Sequence, residues 1–519
     1  MEITFMGAAR CVTGSCTMIE TAGKKLLVDC GLRQGRDAKA VPVTDGFTFD
    51  PKEIHAVLLT HAHIDHSGLL PLLIKKGFAG SIFCTDATAR LCSIMFPDAG
   101  HVQEMEVEWQ NRKRKRAGKP EILPIYTVED AKNAVKYLKP LSYGQLVNVV
   151  DGVTARFVDA GHLLGSASIE VFVAENGRHK KLVFSGDIGN KNKPIIKDPT
   201  YISEADIVFI ESTYGDRLHD HRDTSEQIKE VLTRAIQAGG NIIIPSFAVG
   251  RTQEMLYEIS LLLEENSVPG LEKVPVYIDS PLGIAATEIF RESSKGYYDE
   301  EAMAYRAEGV EFFSFDTLEI AQTVEESKAI NDDPRQKIVI SSSGMCDAGR
   351  IKHHLKHNLW RQDATVVFVG YQAVGTLGRS ILDHSKSVKI FGEDIEVRAN
   401  IEYIEGFSGH ADRAGLLEWM QHFPKPLEHV FVMHGEGSIA EKFASDLKGL
   451  GYNATAPELF EKFDTKTATG TVPFTAPEAE DTLQNLLDRA HHIVDGKDAG
   501  QSQRMRRELA DMLARWEIE

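Results

Sequence analysis

The stretch "LLTHAHIDHSG", residues 58–68, decides the reading of this chain. Three histidines and an aspartate fall within positions 61–66, directly after an apolar run. In an extended segment residues two apart point the same way, so His61 and His63 can aim at one focus. Asp65 and His66 follow where the chain turns toward a helix expected over 68–77, and they can face a neighbouring focus. Imidazole and carboxylate ligands in this order suit zinc. A lone histidine after a strand is usually structural. Three in six positions are hard to satisfy as core or as solvated face, and two foci in one loop imply two metal ions.

Two ions need more ligands and a bridge. An imidazole nitrogen has one lone pair and serves one metal, whereas a carboxylate has two oxygens and can span two. Asp187 in "FSGDIGN", at a strand end, is the best candidate bridge. His162 in "DAGHLLGS" and His434 in "FVMHGEG" also sit just past apolar runs. Asp29 in "LLVDCG" and Glu211 in "VFIESTYG" occupy equivalent positions, where open α/β sheets gather their sites.

Outward from these residues the texture divides. Short apolar runs at 25–29, 56–60, 154–160, 181–186 and 206–210 read as strands, with helices expected between some of them, as over 128–138. From 224 to 395 strand-like runs at 241–246, 274–280, 337–343 and 365–370 alternate with amphipathic segments, the pattern of a parallel doubly wound sheet. The early texture returns after 396, so one domain is inserted into another. The expected boundaries are 1–215 and 396–465 for the outer domain, 216–395 for the insert, and 476–519 for a helical C-terminal extension. In that tail Leu483, Leu486, Leu487 and Ala490 form one apolar stripe. Met505, Leu509, Met512, Leu513 and Trp516 form another, suited to packing on the core or to a homodimer contact.

The 519 residues are 42% apolar and 26% charged, an ordinary globular composition with a net charge of −18. That balance argues against a bulk electrostatic grip on nucleic acid but says nothing of one cleft. The six cysteines form no CxxC pair and read as reduced thiols in a cytoplasmic protein. No run approaches a membrane span, and the N-terminus has no signal-peptide pattern.

"THAHIDHSG" resembles the signature of the metallo-β-lactamase fold, and Asp29, the 61–66 cluster, His162 and Asp187 follow the order of that fold's motifs. "ESTYG", "IPSFAVGRTQE", "DSPLG", "SSSGM", "GYQAVGTLGR", "FSGHAD" and "HGE", in that order, look like its β-CASP branch of nucleic-acid-processing nucleases. The likeness covers roughly 1–460 and is nearest to bacterial and archaeal relatives of the pre-mRNA 3′-end-processing endonuclease. It implies an α/β fold, an αββα sandwich with an inserted β-CASP domain. It makes His61, His63 and His162 ligands of one zinc, Asp65, His66 and His434 ligands of the other, and Asp187 the bridge. Glu211, His410 and His434 match successive β-CASP motifs, and a histidine at the last of these resembles the RNA-cleaving members.

The implied function is a zinc-dependent ribonuclease. A two-zinc-activated hydroxide would hydrolyse RNA, single-stranded in preference, leaving 5′-phosphate and 3′-hydroxyl ends, and endonuclease is preferred to 5′-exonuclease. His410 is the candidate acid for the leaving oxygen, with Glu211 holding its other ring nitrogen. Asp29 is expected to orient a ligand histidine or the water, and Asp65 joins these in the catalytic set. Small-residue loops leading to Arg251, Arg350 and Arg379 suit a phosphate track. With the family likeness, Arg251, Ser342, Ser343 and Arg379 become candidate RNA contacts. "NRKRKRAGKP" (111–120) is either a solvated helix end or an RNA-steering patch. A small-molecule hydrolase of the same superfamily would need no insert, and a noncatalytic RNA-binding paralogue would typically lose ligands that are all present here.

Overall fold

"IVFIE" (Ile207–Glu211) and "HVFVM" (His429–Met433) are neighbouring parallel strands, buried throughout. Alternate side chains on a strand face opposite ways. Ile207, Phe209, Phe431 and Met433 therefore enter one buried cluster, while Val208, Ile210, Val430 and Val432 enter another. Strands buried on both faces need a layer on each side, and the sequence supplies both.

A computed structural model describes residues 1–40, 46–175, 177–220, 222–425, 427–467 and 469–471. One layer is an eight-stranded sheet that includes Glu2–Gly7, Cys16–Thr21, Lys24–Val28, Ile54–Leu58, Ser81–Thr85 and Leu138–Leu141 in spatial order. A seven-stranded sheet faces it, with Val153–Asp159, Ala167–Glu175, Arg178–Phe184, Ile207–Glu211 and His429–Met433 in successive places. Between them Phe5, Phe209 and Phe431 interlock, with ring centroids 4.8 Å apart for Phe5–Phe431 and 5.2 Å for Phe209–Phe431. Leu70–Lys75, Asp86–Arg116 and Val128–Ala134 cover one outer face, and Arg413–Gln421 and Gly437–Gly449 the other. This is the expected αββα sandwich.

The insert is a six-stranded, all-parallel sheet in the order Leu318–Ile320, Val276–Asp279, Ile338–Ser341, Ile242–Pro245, Thr365–Phe368, Asn400–Tyr403. Its helices begin with strong start signals. Asp223 caps Thr224–Ala238 by accepting from the Ser225 and Glu226 N–H groups, and Ser280 caps Pro281–Glu292. Asn400–Tyr403 pairs with Thr365–Phe368, so the inserted sheet runs past the expected return at 396. The insert and the sandwich share one apolar cluster, in which Leu91 and Met95 join Ile284 and Ile289.

Local readings shift in two places. The helix expected over 68–77 is two pieces, Ile64–Ser67 and Leu70–Lys75, with Pro71 in the first turn of the second. The helix expected over 128–138 ends at Ala134. Leu138 already opens a strand paired with Ser81–Thr85, because sheet pairing overrides the helical pattern there. The apolar stripes of the 476–519 extension lie outside the described residues. No helix among the described residues is long and apolar enough to cross a membrane.

Phe431 touches four aromatic neighbours, Phe5, Phe209, His429 and Phe463. Phe431→Ala should cost about 3–5 kcal/mol in equilibrium denaturation. A loss below about 1 kcal/mol would contradict close packing between the sheets.

Candidate metal centre

Strand Ile54–Leu58 leads within a few residues to the first histidines of the cluster. His61 and His63 lie on the extended exit, and His63 then opens the short helix that carries Asp65 and His66. His162 follows Val153–Asp159, Asp187 follows Arg178–Phe184, and His434 follows His429–Met433. His434 and Asp29 both adopt left-handed backbone, φ 50° and 62°, which turns the chain sharply just past each strand.

The ligand atoms form two groups around one carboxylate. His61 Nε2 lies 3.0 Å from His63 Nδ1, and His162 Nε2 lies 3.2 Å from the same atom. Asp187 Oδ2 faces this group, 3.4 Å from His61 and 3.6 Å from His162. In the second group His66 Nε2 and His434 Nε2 are 3.1 Å apart, with Asp65 Oδ2 3.6 Å from His434. Asp187 Oδ1 faces that group, 3.2 Å from His66 and 3.7 Å from His434.

The donor set fits metal ions. Zinc bonds of about 2.0–2.1 Å place tetrahedral ligand atoms about 3.3 Å apart, close to the spacings here. Asp187 Oδ1 is buried and makes no hydrogen bond among the described residues, although imidazoles surround it. A buried anionic oxygen without a donor carries a desolvation cost that a cation removes. Asp187, Glu211 and His434 also lie close enough to form a ligand group. Glu211 is already engaged, however: it accepts from the Ile188 N–H at 2.7 Å and the Thr213 N–H at 3.3 Å, and both its oxygens lie 3.1 Å from His410 Nδ1.

At His61, His66, His162 and His434 the other ring nitrogen meets a partner, which orients the ring. Asp29 accepts from His66 Nδ1 at 2.7 Å and from the Thr60 N–H at 2.8 Å. It therefore orients His66, one of the candidate ligands. Thr60 Oγ1 donates to Asp29 and lies 3.1 Å from His61 Nδ1. His162 Nδ1 donates to the Gly409 carbonyl at 2.9 Å, and Thr213 Oγ1 lies 3.1 Å from His434 Nδ1. Sequence reading missed Thr60, Thr213 and Gly409 as holders, although "LLTHAHIDH", "ESTYG" and "FSGHAD" contain them.

Charge divides the two groups. Burial holds His61 and His162 well below the usual imidazole range and brings His63 to about 4. Burial also opposes charge on His66 and His434, but Asp187 outweighs it, helped by Asp29 at His66 and by Asp65 at His434, so both are raised. Burial likewise opposes the Asp187 anion, yet His434 and His66 keep it ionised.

His410 stands beside this centre, 21% exposed, with Nε2 3.9 Å from Asp187 Oδ2. The candidate RNA contacts are spread more widely. Arg379 is exposed and paired with Asp383 at 2.9 Å. Ser342 Oγ meets Ser280 Oγ at 2.9 Å, and Ser343 Oγ donates to the Ala348 carbonyl at 3.3 Å. Arg251 is instead buried, held by Glu254 and 5.0 Å from the Phe407 ring, so its charge is spent inside the protein. Glu254 also pairs with Lys193 at 3.1 Å, and Lys193 Nζ donates to the His162 carbonyl at 2.9 Å. The basic run ends helix Asp86–Arg116, where Arg112 pairs with Glu108 and Lys113 lies 3.3 Å from the Trp109 ring centre.

Three family models match in order along the chain. The metallo-beta-lactamase superfamily matches residues 9–245, the Beta-Casp domain 252–381, and the Zn-dependent metallo-hydrolase RNA specificity domain 394–457. Ribonuclease TTHA0252 of Thermus thermophilus is 38% identical over 437 residues, which cover 84% of this chain and 93% of the relative. An RNase J-like protein of Methanocaldococcus jannaschii is 32% identical over 446 residues, 85% of this chain and 94% of that one. The transcription termination factor FttA of the same organism is 30% identical over 459 residues, 87% and 69% of the two chains.

The raised His66 and His434 must shed protons to become ligands, whereas His61, His63 and His162 are ready. Divalent cations titrated into the metal-free chain at neutral pH should release few protons at the first group and more at the second. Calorimetry in buffers of different ionisation enthalpy counts them. Equal release at both groups would contradict the assigned protonation.

Proposed function

We propose, because the chain belongs to the β-CASP family of metallo-β-lactamase-fold RNA nucleases, that it is a two-zinc ribonuclease. It cuts unpaired RNA internally by hydrolysis and leaves 5′-phosphate and 3′-hydroxyl ends. The observation that carries this reading is the Asp187 carboxylate, with one oxygen toward each ligand group and His410 beside it.

A phosphodiester resists attack because its anionic oxygens repel nucleophiles. Two bound zinc ions supply positive charge to the phosphate and acidify a water at neutral pH. The chain's own residues do the rest. Asp65 and Asp187 offset only part of that positive charge, so the loaded site attracts phosphate despite the net −18 of the chain. Asp29, Thr60, Thr213 and the Gly409 carbonyl keep the ligand lone pairs aimed inward.

His410 gives its Nε2 proton to the departing 3′-oxygen. Glu211 holds Nδ1, which fixes the ring's orientation. Burial alone would lower the His410 pKa, but Glu211 and then Asp187 outweigh it and bring it to about 9. With a raised pKa the ring is protonated below that value and loses its proton as pH rises through it. The acid form is therefore present at neutral pH, and bound cations move the transition downward from about 9.

A covalently closed RNA circle and a 5′-labelled linear RNA, each with metal-replete protein, test the reading. Cleavage of both supports an endonuclease. A resistant circle with 5′ shortening of the linear RNA makes it a 5′-exonuclease, and intact RNA in both arms overturns the ribonuclease reading. His410→Ala should lose about 10²–10⁴-fold in kcat with its metal content unchanged. Glu211→Gln should move the alkaline limb of kcat to lower pH. Full turnover by His410→Ala, or an unmoved limb in Glu211→Gln, would remove His410 as the acid.

A further inference from the structure

Three exposed aromatic rings sit at one edge of the inserted sheet. Strands Ile242–Pro245, Thr365–Phe368 and Asn400–Tyr403 are parallel neighbours, so their carboxyl ends share that edge. Phe247 lies just past the first strand, Tyr371 just past the second, and Tyr403 ends the third. They are 46%, 45% and 38% exposed. Single exposed apolar residues need no explanation, but aromatic rings grouped at the ends of three adjacent strands mark a binding surface. Adjacent strands lie about 4.8 Å apart, so the three positions are closely spaced across the edge.

Glycines bring the first ring close to the neighbouring loops. A Cβ at Gly344 would lie 3.2 Å from the Phe247 ring and one at Gly370 3.8 Å, so Phe247 rests against the ends of both flanking strands. Tyr371 follows Gly370 directly.

The same edge borders the metal centre. A Cβ at Gly250, three residues after Phe247, would lie 3.1 Å from Leu163, the neighbour of His162. Tyr403 leads through a short turn into the loop that carries His410. Tyr214 is near His410, its ring centroid 6.0 Å from that of His410. Burial first, and then the nearby Tyr403 hydroxyl, hold the Tyr214 hydroxyl up at about 12, with Tyr371 acting the same way more weakly. Two exposed arginines, each paired with one carboxylate, lie near the rings. Arg217 lies 5.6 Å from the Tyr214 ring, and Arg379 lies within electrostatic reach of Tyr371 and Tyr403.

We infer that Phe247, Tyr371 and Tyr403 form a stacking platform for the bases of an unpaired RNA strand on its way to the metal centre, an inference that rests on the ribonuclease reading. Aromatic faces accept any base that is not already paired, and flanking cations meet the phosphates between bases. A duplex hides the faces that such a surface would take. The platform therefore selects single-stranded RNA without reading its sequence.

The test uses the metal-loaded chain and a short unpaired RNA, intact or carrying abasic riboses at successive positions around the scissile bond. Cleavage rates give kcat/KM, and fluorescence anisotropy gives binding. Removing a base that sits on the platform should weaken binding about 5- to 150-fold. The triple variant Phe247→Ala, Tyr371→Ala, Tyr403→Ala should bind intact and abasic RNA alike. Tyr371→Phe with Tyr403→Phe should keep the discrimination, and it preserves a test if the alanine variant fails to fold. Equal binding of intact and abasic RNA by the unsubstituted chain overturns the platform and leaves a phosphate track or a protein-docking face. An abasic penalty that persists in a folded triple variant also overturns it. If the chain cleaves no RNA, anisotropy still reads the platform, so the two failures are distinguishable.

Discussion

The Asp187 carboxylate is buried between two histidine groups and offers one oxygen to each. Much of the surrounding architecture serves that arrangement. An anion taken out of water is tolerated only when opposite charge meets both its oxygens. Two sheets must therefore bring ligand-bearing strand ends together from both sides of the sandwich. Ile54–Leu58 supplies His61, His63, Asp65 and His66 from one sheet, and the other supplies His162, Asp187 and His434. The aromatic layer of Phe5, Phe209 and Phe431 packs between the two sheets.

The inserted sheet is tied to that centre. Its ties to the metal groups are short. The Gly409 carbonyl fixes His162 from the loop that also carries His410, and Lys193 links the His162 carbonyl to Glu254 on an inserted helix. A displacement of the insert would thus be felt at a metal ligand and at the proposed acid together. Arg251 belongs to this buried linkage, which explains why an arginine after a small-residue loop lies away from solvent.

Legibility in the sequence followed the range of the interactions. The grouping within "HAHIDH" is legible because its candidate ligands are local, with extended spacing for the first pair and a turn for the second. The apolar run at 206–210 and the one just before His434 read as strands, and they fold as Ile207–Glu211 and His429–Met433. His162, Asp187 and His434 were individually weak, and they gained meaning from the cluster that needed them and from the order of motifs. Thr60, Thr213 and Gly409 act through contacts that only the fold creates; Gly409 lies 247 positions from the histidine it holds. Arg251 and Arg379 follow similar small-residue loops and each pairs with an acid one turn on, yet one ends buried and the other exposed, because what packs around each is set by the fold and not by local pattern. The platform of Phe247, Tyr371 and Tyr403 is likewise invisible in one dimension, since strand order alone makes those residues neighbours.

Anomalous diffraction at the zinc edge, from crystals of the metal-loaded chain, tests the bridging role of Asp187 most directly. The account predicts two peaks about 3.5–4 Å apart. One should lie among His61, His63 and His162, the other among Asp65, His66 and His434, with an Asp187 oxygen bound to each. A single peak, or two peaks with Asp187 bound to only one of them, would contradict it.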